Sequence, residues 1–252
     1  MLIKLKTKFS QLRAVYQSLV GQEARFSCLR QGLQSCIWHS GKLMLTTGFH
    51  LRCQGREHLP EQQPYLIAAN HVSHLDGPAI IAAHGKPLTT IYSLAARDYF
   101  FDHPLKGWLY ANLFNLIPCK RRGSFRDCLP ICQAIMAQNK TILIFPEGTR
   151  SPTGDLQIFK SGLGFLALEL GVPIVPAYIS GSYQALPKGC YFPRRHPIHV
   201  TFGKPLDIRT YSAREGQLNN RHSYQKIVDD VHYAIEHLQH QHFGSTETLK
   251  QL

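Results

Sequence analysis

Residues 141–151 read Thr141-Ile142-Leu143-Ile144-Phe145-Pro146-Glu147-Gly148-Thr149-Arg150-Ser151. A short apolar and β-branched run with no polar face, closed by a proline, reads as a strand buried on both sides. Pro146 cannot donate to a sheet ladder and ends the strand. Gly148 permits a tight turn or close approach of a ligand. Outward from this point the same texture recurs. Tyr65–Ala69, Leu88–Leu94, Leu116–Cys119, Pro173–Ser180 and Pro197–Gly203 read as strands. The intervening spacing predicts helices over Gly77–His84, Pro104–Phe114, Ser124–Asn139, Lys160–Leu170 and Tyr224–His242. Asp76 stands at or near the N-cap of the first. Ser124 is the cap candidate of the third, with Pro130 a flaw inside it, and Gly171 stops the fourth. Strands alternating with helices predict an α/β fold: a mixed, largely parallel sheet flanked by helices.

The chain ahead of this core has a different character. Residues 1–56 hold nine Lys or Arg and a single acid, Glu23. Leu5, Phe9, Leu12, Tyr16 and Leu19 recur at spacings of four and three, a stripe on one helical face. A second stripe follows at Phe26, Leu29, Leu33, Cys36 or Ile37, and Leu43 or Met44. Such basic amphipathic helices either pack on their own domain or lie in a membrane interface with their cations on lipid phosphates. The sequence therefore divides into N-terminal helices over 1–48, an α/β core over 49–210, and a C-terminal helix with a frayed tail over 211–252.

The whole chain has 252 residues and a formal charge of +12, which favours anionic partners: nucleic acid, anionic lipid or phosphorylated substrates. The cations are not interleaved with aromatics in an RNA-binding or helix-turn-helix pattern, so nucleic acid is not expected. No secretory signal and no run of about 18 apolar residues is found, so neither secretion nor a spanning helix is expected. Seven cysteines are too dilute for a disulfide scaffold and read as reduced thiols in a cytosolic setting.

Two loops carry the polar chemistry. Asn70-His71-Val72-Ser73-His74-Leu75-Asp76 lies between a strand and a helix. His71 and Asp76 meet if the residues between them turn; a carboxylate on one imidazole nitrogen fixes the tautomer and makes the other nitrogen a base. A turn histidine and a capping aspartate would look the same. In the second loop, Thr149 and Arg150 supply donors for a phosphate, and Lys160 at a helix start adds a cation. Glu147 could order Arg150, accept from a substrate hydroxyl, or form an ion pair. Lys120-Arg121-Arg122 puts three cations after a short strand, and Val172-Pro173-Ile174-Val175-Pro176 is a strand bracketed by prolines.

In this order and at these distances, the four segments resemble the glycerolipid acyltransferase family, the lysophosphatidic acid acyltransferase-like enzymes. That family carries an Asn-His-x-x-x-x-Asp block, an Arg-bearing block, a Phe-Pro-Glu-Gly-Thr-Arg block and a Val-Pro-x-x-Pro block. The resemblance spans residues 49 to 206. The Arg block departs most: Asn115 and Lys120 stand where the family has a Gly and often an acid. The family arginine falls on Arg121, or on its neighbour Arg122. The resemblance implies acyl transfer from acyl-CoA or acyl-carrier protein to a lysophospholipid hydroxyl, with 1-acylglycerol 3-phosphate as the modal acceptor. Other lysolipids and glycerol 3-phosphate are the alternatives. His71 would be the base, polarised by Asp76, and Arg121, Glu147, Gly148, Thr149, Arg150 and Lys160 would hold the acceptor. No metal or cofactor is implied, and the enzyme would sit on the cytoplasmic face of a membrane, peripheral or monotopic. A metal-dependent hydrolase using His71, His74 and Asp76 is the rival chemistry, although the spacing differs from the common helical zinc pattern. A non-enzymatic binder of nucleic acid or membrane is the rival without chemistry.

Overall fold

The computed structural model describes residues 24–120, 125–212 and 220–248. The expected helix over residues 5–19, and Arg121, Arg122 and Ser124, lie outside the described residues. Seven strands form one sheet: β1 Arg52–Gln54, β2 Leu66–Ala69, β3 Ile91–Ala96, β4 Leu116–Cys119, β5 Thr141–Ile144, β6 Ile174–Ser180 and β7 His199–Phe202. Their order is β1-β7-β6-β2-β5-β3-β4, and every neighbouring pair is parallel except β6 with β7. The fold is thus the mixed, mostly parallel α/β sheet that the alternating texture predicts.

The sheet is covered on both faces, which is why its strands read as unbroken apolar runs. On one face Leu66, Ala68, Ile142, Ile144 and Ile174 meet α5 (Leu129–Met136), α6 (Gly162–Leu170) and α9 (Asn220–Thr248). On the other, Ile67, Ala69, Leu143, Val175 and Ala177 meet α1 (Ala24–Gly48) and α2 (Asp76–His84). The period of two decides which residue goes to which layer. Each fully buried Leu or Ile stabilises the fold by roughly 1.5–3 kcal/mol relative to exposure.

Several boundaries differ from those expected. Leu88–Thr90 form a 3-10 turn, and β3 begins only at Ile91. The Asn115 side chain, at the turn into β4, donates to the Leu88 and Ile91 carbonyls and fixes that start. The helix expected over Ser124–Asn139 is a short α5 preceded by a 3-10 turn at Phe125–Asp127. Pro130 falls in the first turn of α5, where a missing N–H costs nothing, so the residue that looked like a flaw marks the helix start. Edge strand β1 is three polar or half-polar residues and carries no apolar run to betray it.

Helix α1 contains the second expected stripe, and that stripe faces outward. Leu29, Leu33, Cys36, Leu43 and Met44 are exposed. The inward face is a different set: Leu45 is buried, Ile37 and Trp38 pack on the core, and buried Gln34 donates to the Asn112 carbonyl and the Asn115 side chain. α1 is therefore apolar on two sides. Nearby α4 (Pro104–Leu113) also leaves Leu105, Trp108 and Leu109 exposed. Among the described residues no helix is long and apolar enough to cross a membrane.

Candidate active site

Strands β2 and β5 are parallel neighbours, with Ala68 paired to Ile144. The two polar loops therefore leave the sheet side by side at its carboxyl edge, where α/β folds bind ligands. β2 is held there by Asn70. Its buried amide donates to the Ile179 carbonyl at 2.9 Å and accepts from the Ile179 N–H at 2.7 Å. That pair of bonds imitates one more rung between β2 and β6, past the last paired residues Ala69 and Ala177.

His71 follows directly. Its Nδ1 lies 2.9 Å from Asp76 Oδ2, and the same carboxylate oxygen accepts the N–H groups of Val72 and Ser73, each at 2.7 Å. Residues 72–75 thus turn around the carboxylate, which is fully buried while the imidazole is 20% exposed. Asp76 is the first residue of α2, yet its side chain reaches back to the loop instead of capping the helix. With Nδ1 held by Asp76, Nε2 is the ring nitrogen left for a substrate. The Phe145 ring stacks on the imidazole, 4.1 Å between centroids and 18° between planes, and fixes its second angle.

The two loops are joined at two points. Glu147 Oε1 accepts the His71 backbone N–H at 2.8 Å, and the Ser151 N–H donates to the His71 carbonyl at 2.8 Å. Glu147 is buried, and burial above all, with the nearby Asp76 charge adding to it, pushes its carboxyl up to about 8. Gly148 closes a turn to the Phe145 carbonyl with φ of 71°, the left-handed region that favours glycine. Lys160 donates its backbone N–H to the Pro146 carbonyl, and its ammonium lies where a Cβ on Gly148 would stand. Burial lowers the His74 pKa, and the nearby charges of Arg150 and His71 lower it further. The structure thus brings His71, Asp76, Glu147, Gly148, Thr149, Arg150 and Lys160 to one edge. Arg121 lies outside the described residues.

Sequence reasoning gave no role to Asn70, Ser73 or Phe145. Ser73 donates to the Leu186 carbonyl and accepts the Leu75 N–H. Asn70 and Ser73 lie within the Asn70–Asp76 segment, so their positions were visible, but Ile179 and Leu186, whose carbonyls they bond, lie over a hundred residues further along the chain. The set His71, His74 and Asp76 does not come together for a metal. His74 stacks on Tyr99, and among the described residues no three His, Cys, Asp or Glu are placed to hold an ion.

The Acyltransferase family model matches residues 50–180, just over half the chain and nearly all of the sheet. The chain belongs to the glycerolipid acyltransferase family. It is 32% identical over 157 residues to the chloroplastic 1-acyl-sn-glycerol-3-phosphate acyltransferase BAT2 of Brassica napus, covering 61% of this chain and 44% of that one. It is 28% identical over 208 residues to a 1-acyl-sn-glycerol-3-phosphate acyltransferase of Limnanthes douglasii, covering 82% and 70%. It thus spans less than half the length of the Brassica relative. The crystal structure of the 1-acyl-sn-glycerophosphate acyltransferase PlsC from Thermotoga maritima shares its fold, with a TM-score of 0.63 at 24% identity over 86% of this chain and 84% of that one.

Proposed function

We propose that this acyltransferase moves a fatty acyl group from acyl-CoA or acyl-carrier protein to the free hydroxyl of a lysophospholipid, 1-acylglycerol 3-phosphate foremost, making phosphatidic acid. The observation that carries the reading is the His71–Asp76 pair, 2.9 Å apart, with the imidazole partly open and the carboxylate sealed beneath it. Nε2 of His71 takes the acceptor proton as the oxygen attacks the thioester carbonyl. The carbon–sulfur bond breaks, and the imidazolium returns the proton to the leaving thiolate. Asp76 holds the ring in the required tautomer and stabilises its charged form. Thr149, Arg150 and Lys160, with Arg121, would bind the acceptor phosphate, and Gly148 lets that phosphate approach the backbone.

Membrane attachment at the cytoplasmic face belongs to the same proposal. Support comes from the outward apolar face of α1, the exposed Leu105, Trp108 and Leu109 of α4, and the basic N-terminal composition. The test is purified full chain with labelled acyl-CoA and a mixture of lysolipid acceptors and glycerol 3-phosphate, with mass analysis of the products. Labelled phosphatidic acid is expected. His71→Ala should lose turnover by about 10³-fold or more with an unchanged circular dichroism spectrum. Near-normal turnover in that variant would refute the base assignment.

A further inference from the structure

Ten consecutive residues, Lys188 to Pro197, are all exposed, although Ala185 before them and Ile198 after them are buried. They form a loop closed at its base, where the Arg194 N–H donates to the Ala185 carbonyl at 2.7 Å. Its tip carries two adjacent aromatic rings, Tyr191 and Phe192, 91% and 87% exposed. A pair of bare rings at a loop tip is costly in water unless something covers them. Arg194, Arg195 and His196 follow, all exposed. No Asp or Glu occurs from residue 170 to residue 206.

The base of this loop is fastened to the site. The Ser73 hydroxyl donates to the Leu186 carbonyl at 2.7 Å, and Lys188 Nζ donates to the Arg150 carbonyl at 3.1 Å. Ser73 belongs to the turn around Asp76, and Arg150 to the cationic turn. The far end of the loop is tied to α1: the Ile198 N–H donates to the carbonyl of Phe49, the residue just past that helix. The last turns of α1 leave Leu43 and Met44 exposed. Rings at a tip, cations behind them and no acid within the segment are the composition of a chain stretch that enters an interface. An acidic protein partner would meet the cations but would leave two adjacent rings without a purpose.

We propose that the loop Leu186–Pro197 is a second membrane contact: Tyr191 and Phe192 enter the headgroup region of an anionic bilayer, and Arg194 and Arg195 pair with lipid phosphates. The loop then sets the distance between the bilayer and the His71 turn, and α1 and the loop together flank the route by which a lipid acceptor enters. The proposal rests on the site taking a lipid acceptor only for the meaning of that distance; the contact itself is independent of the chemistry.

The test uses the full chain carrying Phe192→Trp in a Trp38→Phe/Trp108→Phe background. Vesicles of phosphatidylcholine with or without phosphatidylglycerol are added, with doxyl-labelled lipid as quencher. A blue shift and quenching of the new indole on the anionic vesicles only is the expected result. Arg194→Gln/Arg195→Gln should weaken sedimentation with those vesicles about 25-fold, at roughly fivefold per cation. Tyr191→Ser/Phe192→Ser should weaken it by about tenfold or more. Both variants should keep parental turnover on a dispersed short-chain acceptor without vesicles.

If the protein sediments with anionic vesicles while the indole at 192 stays unquenched, the loop proposal is overturned and membrane attachment through α1 survives. If it acylates the dispersed acceptor but sediments with no vesicle, both membrane statements fall and the chemistry stands. If the indole is quenched in a protein that transfers no acyl group, the loop proposal holds and the acyl-transfer reading fails. If the arginine variant slows turnover only with acyl-carrier protein as donor and sediments normally, the loop docks a carrier and the bilayer proposal is overturned.

Discussion

Two turns leave neighbouring strands of one sheet and are built on opposite plans. In the Asn70–Asp76 turn most polar side chains face inward: Asn70, Ser73 and Asp76 are buried, and one carboxylate oxygen receives an imidazole and two backbone amides, with His74 alone exposed. In the Phe145–Ser151 turn Glu147 and Ser151 are buried at either end, while Gly148, Thr149 and Arg150 between them remain partly open. A proton-transfer group needs one fixed geometry, so its turn uses its hydrogen bonds internally. A group that must grip an arriving anion needs donors left for the ligand, so its turn uses backbone shape and leaves Thr149 and Arg150 partly open.

Asp76→Asn should have the greatest effect on the proton-transfer turn. The variant keeps the size of the side chain but replaces an acceptor-only group with an amide. One amide orientation sets a donor against the Val72 and Ser73 N–H groups and turns the imidazole to the wrong tautomer; the other keeps those three bonds but removes the charge that stabilises the imidazolium and buries an amide N–H group where Oδ1 has no partner among the described residues. Turnover should fall about 10³–10⁴-fold, and stability by about 1–3 kcal/mol. Both are measurable by initial rates and urea unfolding on one preparation. A variant that loses stability but keeps its rate would make Asp76 a purely architectural residue.

Glu147 bridges the two plans, and its ionisation should tell which it serves. Its carboxyl is raised from 4.5 to about 8, so folding favours the protonated form. A raised acid holds its full stabilising difference below the unfolded value, and that stability is lost as pH rises from about 4.5 to about 8. Glu147→Gln keeps an oxygen for the His71 N–H, and it should flatten the stability curve across that window while changing turnover by about tenfold or less. An unchanged slope in Glu147→Gln would mean the group is ionised in the fold. A loss of turnover matching that of Asp76→Asn would place Glu147 in the proton-transfer machinery itself.

The other end of helix α2 provides a control. It starts at Asp76 and ends at buried His84, whose Nε2 lies 2.7 Å from the Tyr65 hydroxyl. Burial, followed by the charges of Lys86 and Arg56, lowers the His84 pKa from 6.5 to about 4. A neutral histidine of this kind gives stability that is full above about 6.5 and is lost as pH falls toward about 4, on the order of 3 kcal/mol over the whole span. His84→Gln should remove that acid-side slope and leave the slope of Glu147 in place. Thermal melts at stepped pH would separate the two, since they run in opposite directions where the windows overlap. Persistence of the acid slope in His84→Gln would assign it to another group.

The sheet was legible because both of its faces are covered: residues 142–144, Leu66–Ala69 and residues 174–179 carry apolar or aromatic side chains at every position, so length and composition alone identify them. β1 was not legible, because an edge strand of Arg, Cys and Gln is defined by its backbone partner His199–Thr201 and not by its side chains. The outward face of α1 shows the limit of periodicity. Spacing finds Leu29, Leu33 and Leu43 on one side, but cannot say which side the body occupies when Trp38 and Leu45 make the other side apolar too. In the site, the nearness of His71 and Asp76 follows from five residues of separation and a turn. The bonds of Asn70 to Ile179 and of Glu147 to His71 depend on which strands become neighbours, and that order is set by the whole sheet.

The smallest expected effect tests the open turn at its most confined point. Gly148 has φ of 71°, and a methyl there would meet the Lys160 ammonium and the end of its stem. The obstacle is the tip of a flexible side chain, so the lysine can move aside. The cost of Gly148→Ala is therefore mainly the left-handed backbone, about 1 kcal/mol. If the turn serves to hold an anion between backbone and lysine, the variant should raise the acceptor KM several-fold while kcat stays within about twofold, because the His71 turn is untouched. Titrating the acceptor at saturating acyl-CoA distinguishes this from its converse. A fall in kcat at constant KM would mean that the two turns are one rigid unit, with the Glu147 and Ser151 bonds to His71 transmitting every displacement of the cationic loop to the imidazole.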